Sequence, residues 1–186
     1  MFKNTLITSI VILSSLVLFT CGKDDPVIPN EEEVITTLNY TLTSQSSGEV
    51  VTLSFVDLDG DGGDAPTVTG GTLSANDTYS GSIELLNEAE SPSEDITEEI
   101  EEEDEEHQFF FESSTSSITV AYDDADADGN PIGLNTTVTT GAAGSGSLTV
   151  TLRHEPSKSA SGVSSGDISN AGGETDIEVT FQVNVQ

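Results

Sequence analysis

Carboxylates at alternate positions, each set followed by a glycine, are the first residues in this sequence with chemistry in their spacing. Asp57, Asp59 and Asp61 precede Gly62, and Asp124, Asp126 and Asp128 precede Gly129, so both segments have the form D-x-D-x-D-G. Alternate carboxylates can converge on a hard cation while the glycine permits the sharp turn around it, and many calcium loops open this way. The likeness to an EF-hand stops there. Its twelfth position is Val68 in the first segment and Asn135 in the second, where a bidentate glutamate belongs. Further ligands would have to come from Asp64, Asp123, Asn130 or backbone carbonyls, so the spacing predicts weak calcium binding, roughly 10⁻⁴–10⁻³ M. The plainer reading is a pair of ion-free turns, because Asp and Gly favour turns by themselves.

The two histidines are the second constellation. His107 closes the acidic run Glu98 to Glu106, and His154 lies in Arg153-His154-Glu155-Pro156 where a strand pattern ends. If the fold joins them, His107, His154 and Glu155 offer imidazole and carboxylate ligands suited to zinc or copper. If it does not, they are two surface histidines. The acidic run reads as a solvated stretch, a weak cation reservoir or an electrostatic docking face.

Catalytic signatures are thin. Gly162-Val163-Ser164-Ser165-Gly166 spells G-x-S-x-G, but that motif works at a strand-to-helix elbow, and here it lies in a Ser- and Gly-rich stretch with no helix pattern behind it. Paired carboxylates for glycoside hydrolysis abound, yet the chain has no Trp and 5% aromatic residues, which removes the usual platform for stacking sugars. No phosphate loop or dinucleotide fingerprint is present. The expectation is a protein that is not an enzyme.

The elements that must position these residues read as strands. Leu38, Tyr40 and Leu42 share one face of an alternating segment, as do Val51, Leu53 and Phe55, and Ser46-Ser47-Gly48 between them predicts a hairpin. Thr67 to Leu73, Tyr79 to Leu86, Gln108 to Glu112, Ile118 to Tyr122, Leu134 to Thr140, Ser147 to Leu152 and Asp176 to Val185 continue the pattern. So many short strands in one domain predict an all-β, antiparallel two-sheet β-sandwich. The strand and acidic turn Val51 to Gly62 recur at constant spacing as Ile118 to Gly129, which predicts two related halves, about 38–90 and 107–156, facing each other. One segment departs from this. Ser91-Pro92-Ser93-Glu94 has the look of a helix start, with Ser91 as cap, predicting one short helix near 92–100 that packs through Ile96 and Ile100. Like-charge pairs Glu98/Glu102 and Glu99/Glu103 should keep it short.

The opening of the chain predicts its location. Lys3 precedes the apolar run Leu6 to Phe19, which is short for a bilayer span and reads as a signal peptide over residues 1–20. The run ends at Cys21, the only cysteine, which has no disulfide partner within the chain. Leu18-Phe19-Thr20-Cys21 resembles a bacterial lipobox, with Thr20 departing from the usual small residue, and this implies lipidation at Cys21. Lys23-Asp24-Asp25 resembles the surface-export signal of Bacteroidota outer-membrane lipoproteins. Residues 21–33 would then be a lipidated cysteine and flexible linker, and 34–186 the domain.

The sequence is also similar to small flavobacterial lipoproteins in Thr97 to Glu103, Leu152 to Pro156 and Gly172 to Asp176. Those proteins are often described by a type 1 periplasmic-binding fold, which needs alternating strands and helices and about twice this length. The strand pattern here predicts a sandwich instead.

Charge narrows the partners. With 34 acidic residues against 4 basic ones, a formal charge of −30 excludes nucleic acid and anionic lipid surfaces as docking partners. Together these features predict a non-catalytic, surface-exposed lipoprotein of the outer membrane. It would bind divalent cations or a small nutrient, beside an outer-membrane barrel or transporter. The alternatives are a periplasmic-facing placement, and a structural or protein-interaction subunit with calcium-stiffened loops.

Overall fold

Successive side chains of a strand point to opposite faces, so alternating apolar residues line one face. The computed structural model, which describes residues 33–60, 63–89, 91–115 and 117–186, realises that pattern along its long strands, most regularly over Thr78–Asn87 and Glu174–Val185. Cys21, Lys23, Asp24, Asp25 and Asp61 lie outside the described residues, and with them the signal and anchor.

Strand β1 (Thr37–Ser44) buries Leu38, Tyr40 and Leu42, and pairs antiparallel with β2 (Val50–Val56) across the expected hairpin. The strands that follow are β3 (Thr67–Thr69), β4 (Gly71–Leu73), β5 (Thr78–Asn87) and the two-residue β6 (Glu94–Asp95). After helix α1 (Ile96–Glu102) come β7 (His107–Ser113), β8 (Ile118–Tyr122), β9 (Asn135–Thr140), β10 (Gly144–His154) and β11 (Glu174–Val185).

Among the described residues the fold is mostly β, with two sheets and this one short α-helix. One sheet has seven strands in the order β3-β2-β1-β5-β9-β8, with β6 on β5; the other has four, β4-β11-β10-β7. Their inner faces share one apolar core. Leu38, Tyr40, Leu53 and Leu85 from the larger sheet meet Phe109, Val150, Leu152 and Phe181 from the smaller, all fully buried. Each such side chain contributes roughly 1.5–3 kcal/mol by leaving water.

Four details differ from the sequence expectation. The segment Thr67 to Leu73 is two strands, because the chain changes sheets at Gly70. A Cβ there would stand 2.0 Å from the carbonyl oxygen of Gln182, so the crossing needs a residue with no side chain. Pairing is not antiparallel everywhere, since β4 runs parallel to β11. The repeated strands β2 and β8 both belong to the seven-stranded sheet, where β3, β2, β1 and β5 of the first half lie beside β9 and β8 of the second, so the two sheets do not correspond to two facing halves. Finally, α1 starts later than Ser91. Its cap is Asp95, whose carboxylate accepts from the Thr97 amide at 3.0 Å, while Ile96 and Ile100 are buried as the spacing required.

Candidate metal centre

Strand pairing brings the two histidines together. β7 and β10 run antiparallel with His107 directly opposite His154 and Phe109 opposite Leu152. On β10 the inward phase of Leu148, Val150 and Leu152 carries on to His154, and on β7 Phe109 and His107 share a face, so both imidazoles stand at one end of the core. They are 0% and 3% exposed, with ring centroids 4.5 Å apart.

Asp176 joins them through an irregularity in the neighbouring strand. Leu152 pairs with Ile177 but Arg153 pairs with Thr175, so Asp176 is an extra residue on β11. Such a β-bulge re-aims a side chain that simple alternation would send to solvent. Here the Asp176 side chain is fully buried. Just beside it Gly173, at φ +69, lies where a Cβ would come 2.2 Å from the His154 carbonyl oxygen, a close approach open only to glycine. Glu33, just before β1, supplies the fourth group, with its side chain 4% exposed.

The four side chains face one another. His107 Nε2 is 3.3 Å from Glu33 Oε1 and 4.0 Å from Asp176 Oδ2. His154 Nδ1 is 3.6 Å from Glu33 Oε2 and 3.8 Å from Asp176 Oδ1. One ligand atom from each residue lies within 4.8 Å of the others, a spacing that could hold a metal ion.

Proton placement sharpens the point. His107 Nδ1 is 3.2 Å from the carbonyl oxygen of Glu103, the residue that ends α1. A carbonyl only accepts, so Nδ1 carries the proton and, in the neutral ring, Nε2 presents a lone pair to Glu33. Burial, the largest influence, pushes His107 below its ordinary value of 6.5, although the Glu103 carbonyl and Glu33 favour the charged form. Two acceptors therefore face each other at 3.3 Å. Glu33 Oε2, His107 Nε2 and both ring nitrogens of His154 are buried without a hydrogen bond among the described residues. A buried polar atom left unsatisfied costs about 1–3 kcal/mol, and a cation at this point would satisfy several at once. The hydrogen bond from His107 Nδ1 is the kind of support that fixes the tautomer of a metal-binding imidazole.

Without metal, this burial makes stability depend on pH. A histidine whose folded value lies below 6.5 binds its proton more readily when unfolded, so stability is present at neutral pH. It is lost as pH falls through 6.5 toward the folded value. Thermal melts of chelator-treated protein should therefore decline over that window, and His107→Gln should flatten that part of the decline. An unchanged profile in the variant would contradict the assignment.

Glu155, the third residue of the histidine reading, is not in the buried group. It is exposed on the far side of His154, where its carboxylate, His154 and Glu106 make a second cluster. Glu33, Glu106 and Asp176 were missed as ligands. Glu33 looked like the end of a linker, Glu106 was one of many glutamates, and the bulge that turns Asp176 inward leaves no mark in the strand's alternation.

The aspartate loops use their carboxylates differently. Asp57 accepts from the Gly60 amide at 3.1 Å and Asp59 from the Asp64 amide at 2.8 Å. A cleft of about 310 Å³ has both Asp57 and the site residues Glu33 and Asp176 in its lining, with Glu178. In the second loop Asp124 accepts from the amides of Gly133 at 2.7 Å and Asn135 at 2.6 Å. Asp126, nearly buried, accepts from the amides of Asp128 and Asn130 and from Lys158 Nζ at 3.0 Å. Burial pushes the Asp126 carboxyl up, but Lys158 and Asn130 outweigh it and hold it below the ordinary carboxylate value. Asp128 is exposed. Among the described residues, Asp124, Asp126 and Asp128 do not converge as a three-carboxylate group; an ammonium stands where the sequence suggested calcium.

Ser164 and Ser165 of the G-x-S-x-G segment lie in a 3₁₀ turn (Val163–Ser165) between two left-handed glycines, not at a strand-to-helix elbow.

The sequence matches no protein-family model and no curated protein. Among solved structures, domains 4 and 5 of the S-layer protein SbsC align at 15% identity and a TM-score of 0.30, over 78% of this chain and 75% of that one. A structure of SbsC domains 4–9 aligns at 16% identity and a TM-score of 0.30, over 79% of this chain and 22% of that one.

Proposed function

We propose that this protein is a non-catalytic, surface-exposed outer-membrane lipoprotein whose sandwich domain holds a divalent transition-metal ion of the zinc or copper class, beside an outer-membrane transporter. The observation that carries the reading is the buried group of His107, His154, Glu33 and Asp176. Two imidazoles and two carboxylates form a mixed nitrogen and oxygen set suited to Zn²⁺ or Cu²⁺. Four protein ligands leave no vacant position of the kind a catalytic metal keeps for water or substrate. That favours holding an ion over using it. The cleft lined by Glu33, Asp57, Asp176 and Glu178 gives the ion an acidic approach, as capture and release require. Lipidation at Cys21 and the Lys23-Asp24-Asp25 signal supply the location in this reading.

A structural role for the same ion is the second reading. The near-complete burial of the four groups favours it, because an ion there would fasten Glu33 to strands β7, β10 and β11. Titration calorimetry with Zn²⁺, Cu²⁺ and Ca²⁺, followed by exchange into a chromogenic chelator, separates the two. Capture predicts transition-metal binding and release from the folded protein. Release only on unfolding would favour the structural role, and the absence of heat with both Zn²⁺ and Cu²⁺ would remove the proposal.

A further inference from the structure

His154 has a carboxylate cluster on each side of its ring. Nδ1 faces Glu33 and Asp176 at 3.6 and 3.8 Å, while Nε2 faces Glu106 Oε2 at 3.8 Å. Glu106, His154 and Glu155 each offer a ligand atom within 4.8 Å of the others. Their arrangement is set by backbone, because the Glu155 amide donates to the Glu106 carbonyl oxygen at 2.6 Å, one step beyond the His107–His154 pair. The decisive group is Nε2 itself: it belongs to a side chain only 3% exposed, points at this outer cluster, and has no hydrogen-bond partner among the described residues. Exposed glutamates alone would say little, but a buried imidazole nitrogen aimed between them is a ligand atom in waiting.

We infer that the domain binds two transition-metal ions, with the His154 ring bridging an inner ion held by Glu33, His107 and Asp176 to an outer ion held by Glu106 and Glu155. This rests on the proposed metal function and extends it to a second site. With both ring nitrogens ligating, the imidazole becomes an imidazolate and releases its N–H proton to solvent; no oxidation state changes. The outer ion would be the weaker, since its carboxylates are exposed and Glu106 is 56% accessible. It is also the one within reach of solvent and of a receiving protein.

The test uses Cu²⁺ alone as the probe. The full chain and a Glu106→Gln, Glu155→Gln double variant are loaded, desalted, and measured for copper content and electron paramagnetic resonance intensity. The expected result is two Cu²⁺ per wild-type chain with spin intensity well below two, because an imidazolate bridge couples the pair antiferromagnetically. The variant should hold one Cu²⁺ with full intensity. Both substituted side chains are exposed, so the fold should survive, which circular dichroism checks. One copper in both proteins would overturn the bridge while leaving the inner site standing. Two uncoupled coppers in both would place the second ion elsewhere and overturn it equally. No copper in either would overturn the bridge and the metal function together.

Discussion

Zn²⁺ added to a hundredfold excess over its dissociation constant should stabilise the folded protein by about 2.7 kcal/mol, and tenfold more should bring about 4.1 kcal/mol. The gain arises because the ion binds the assembled group and has no equivalent site in the unfolded chain. The β7/β10 pairing and the β11 bulge bring His107, His154 and Asp176 together, and Glu33, far from them in sequence, joins them from the segment before β1. Chelation should reverse the gain. His107→Gln should abolish most of it, since glutamine cannot present an imidazole lone pair where Nε2 meets Glu33. The same substitution should leave unliganded stability little changed near neutral pH, because it also removes a mutual approach of two acceptors. Equilibrium urea unfolding with and without Zn²⁺ measures both quantities. An equal Zn²⁺ effect on wild type and His107→Gln would place the stabilising ion elsewhere.

Lys158→Met should cost about 3–5 kcal/mol, a large part of the 5–15 kcal/mol typical of a domain. Lys158 is 6% exposed, and its ammonium donates to Asp126 at 3.0 Å and to the carbonyl oxygen of Asp104. The lysine thus ties the second aspartate loop to the segment between α1 and β7. Removing it leaves the Asp126 carboxylate buried beside the amides of Asp128 and Asn130 without its ammonium. Adding Asp126→Asn should recover part of the loss, since an amide keeps an acceptor for those N–H groups without the charge. Because Asp126 titrates below its ordinary value of 3.8, its contribution is complete above that pH and disappears as pH falls through the folded value. The denaturation midpoints of the single and double variants decide the matter. Strictly additive losses would mean that Lys158 and Asp126 are not coupled.

The long strands were legible because most of them bury one side, so alternation survives in the sequence. Leu38, Tyr40 and Leu42 on β1 show it plainly. The change of sheet at Gly70 was passed over, although Val68 and Leu73 fall on opposite faces of a single strand and Gly70-Gly71 lies between them, where the chain leaves one sheet for the other. The helix start was not legible, since Ser91 and Pro92 satisfied the usual capping pattern and Asp95 took the role. At the site, the two histidines could be named but not joined, because their pairing is a matter of register between strands distant in sequence. Asp176 required a bulge, and Glu33 required knowing that the apparent linker ends inside the domain. The repeated aspartates were conspicuous for the opposite reason. Their spacing suits a cation, and in the second loop it serves backbone amides and a buried lysine instead.

Anomalous diffraction at the zinc absorption edge, on crystals grown with Zn²⁺, tests the central claim most directly. The predicted result is a strong peak among His107 Nε2, His154 Nδ1, Glu33 and Asp176. A zinc-loaded crystal with no peak there, or with its peaks confined to the aspartate loops, would contradict it.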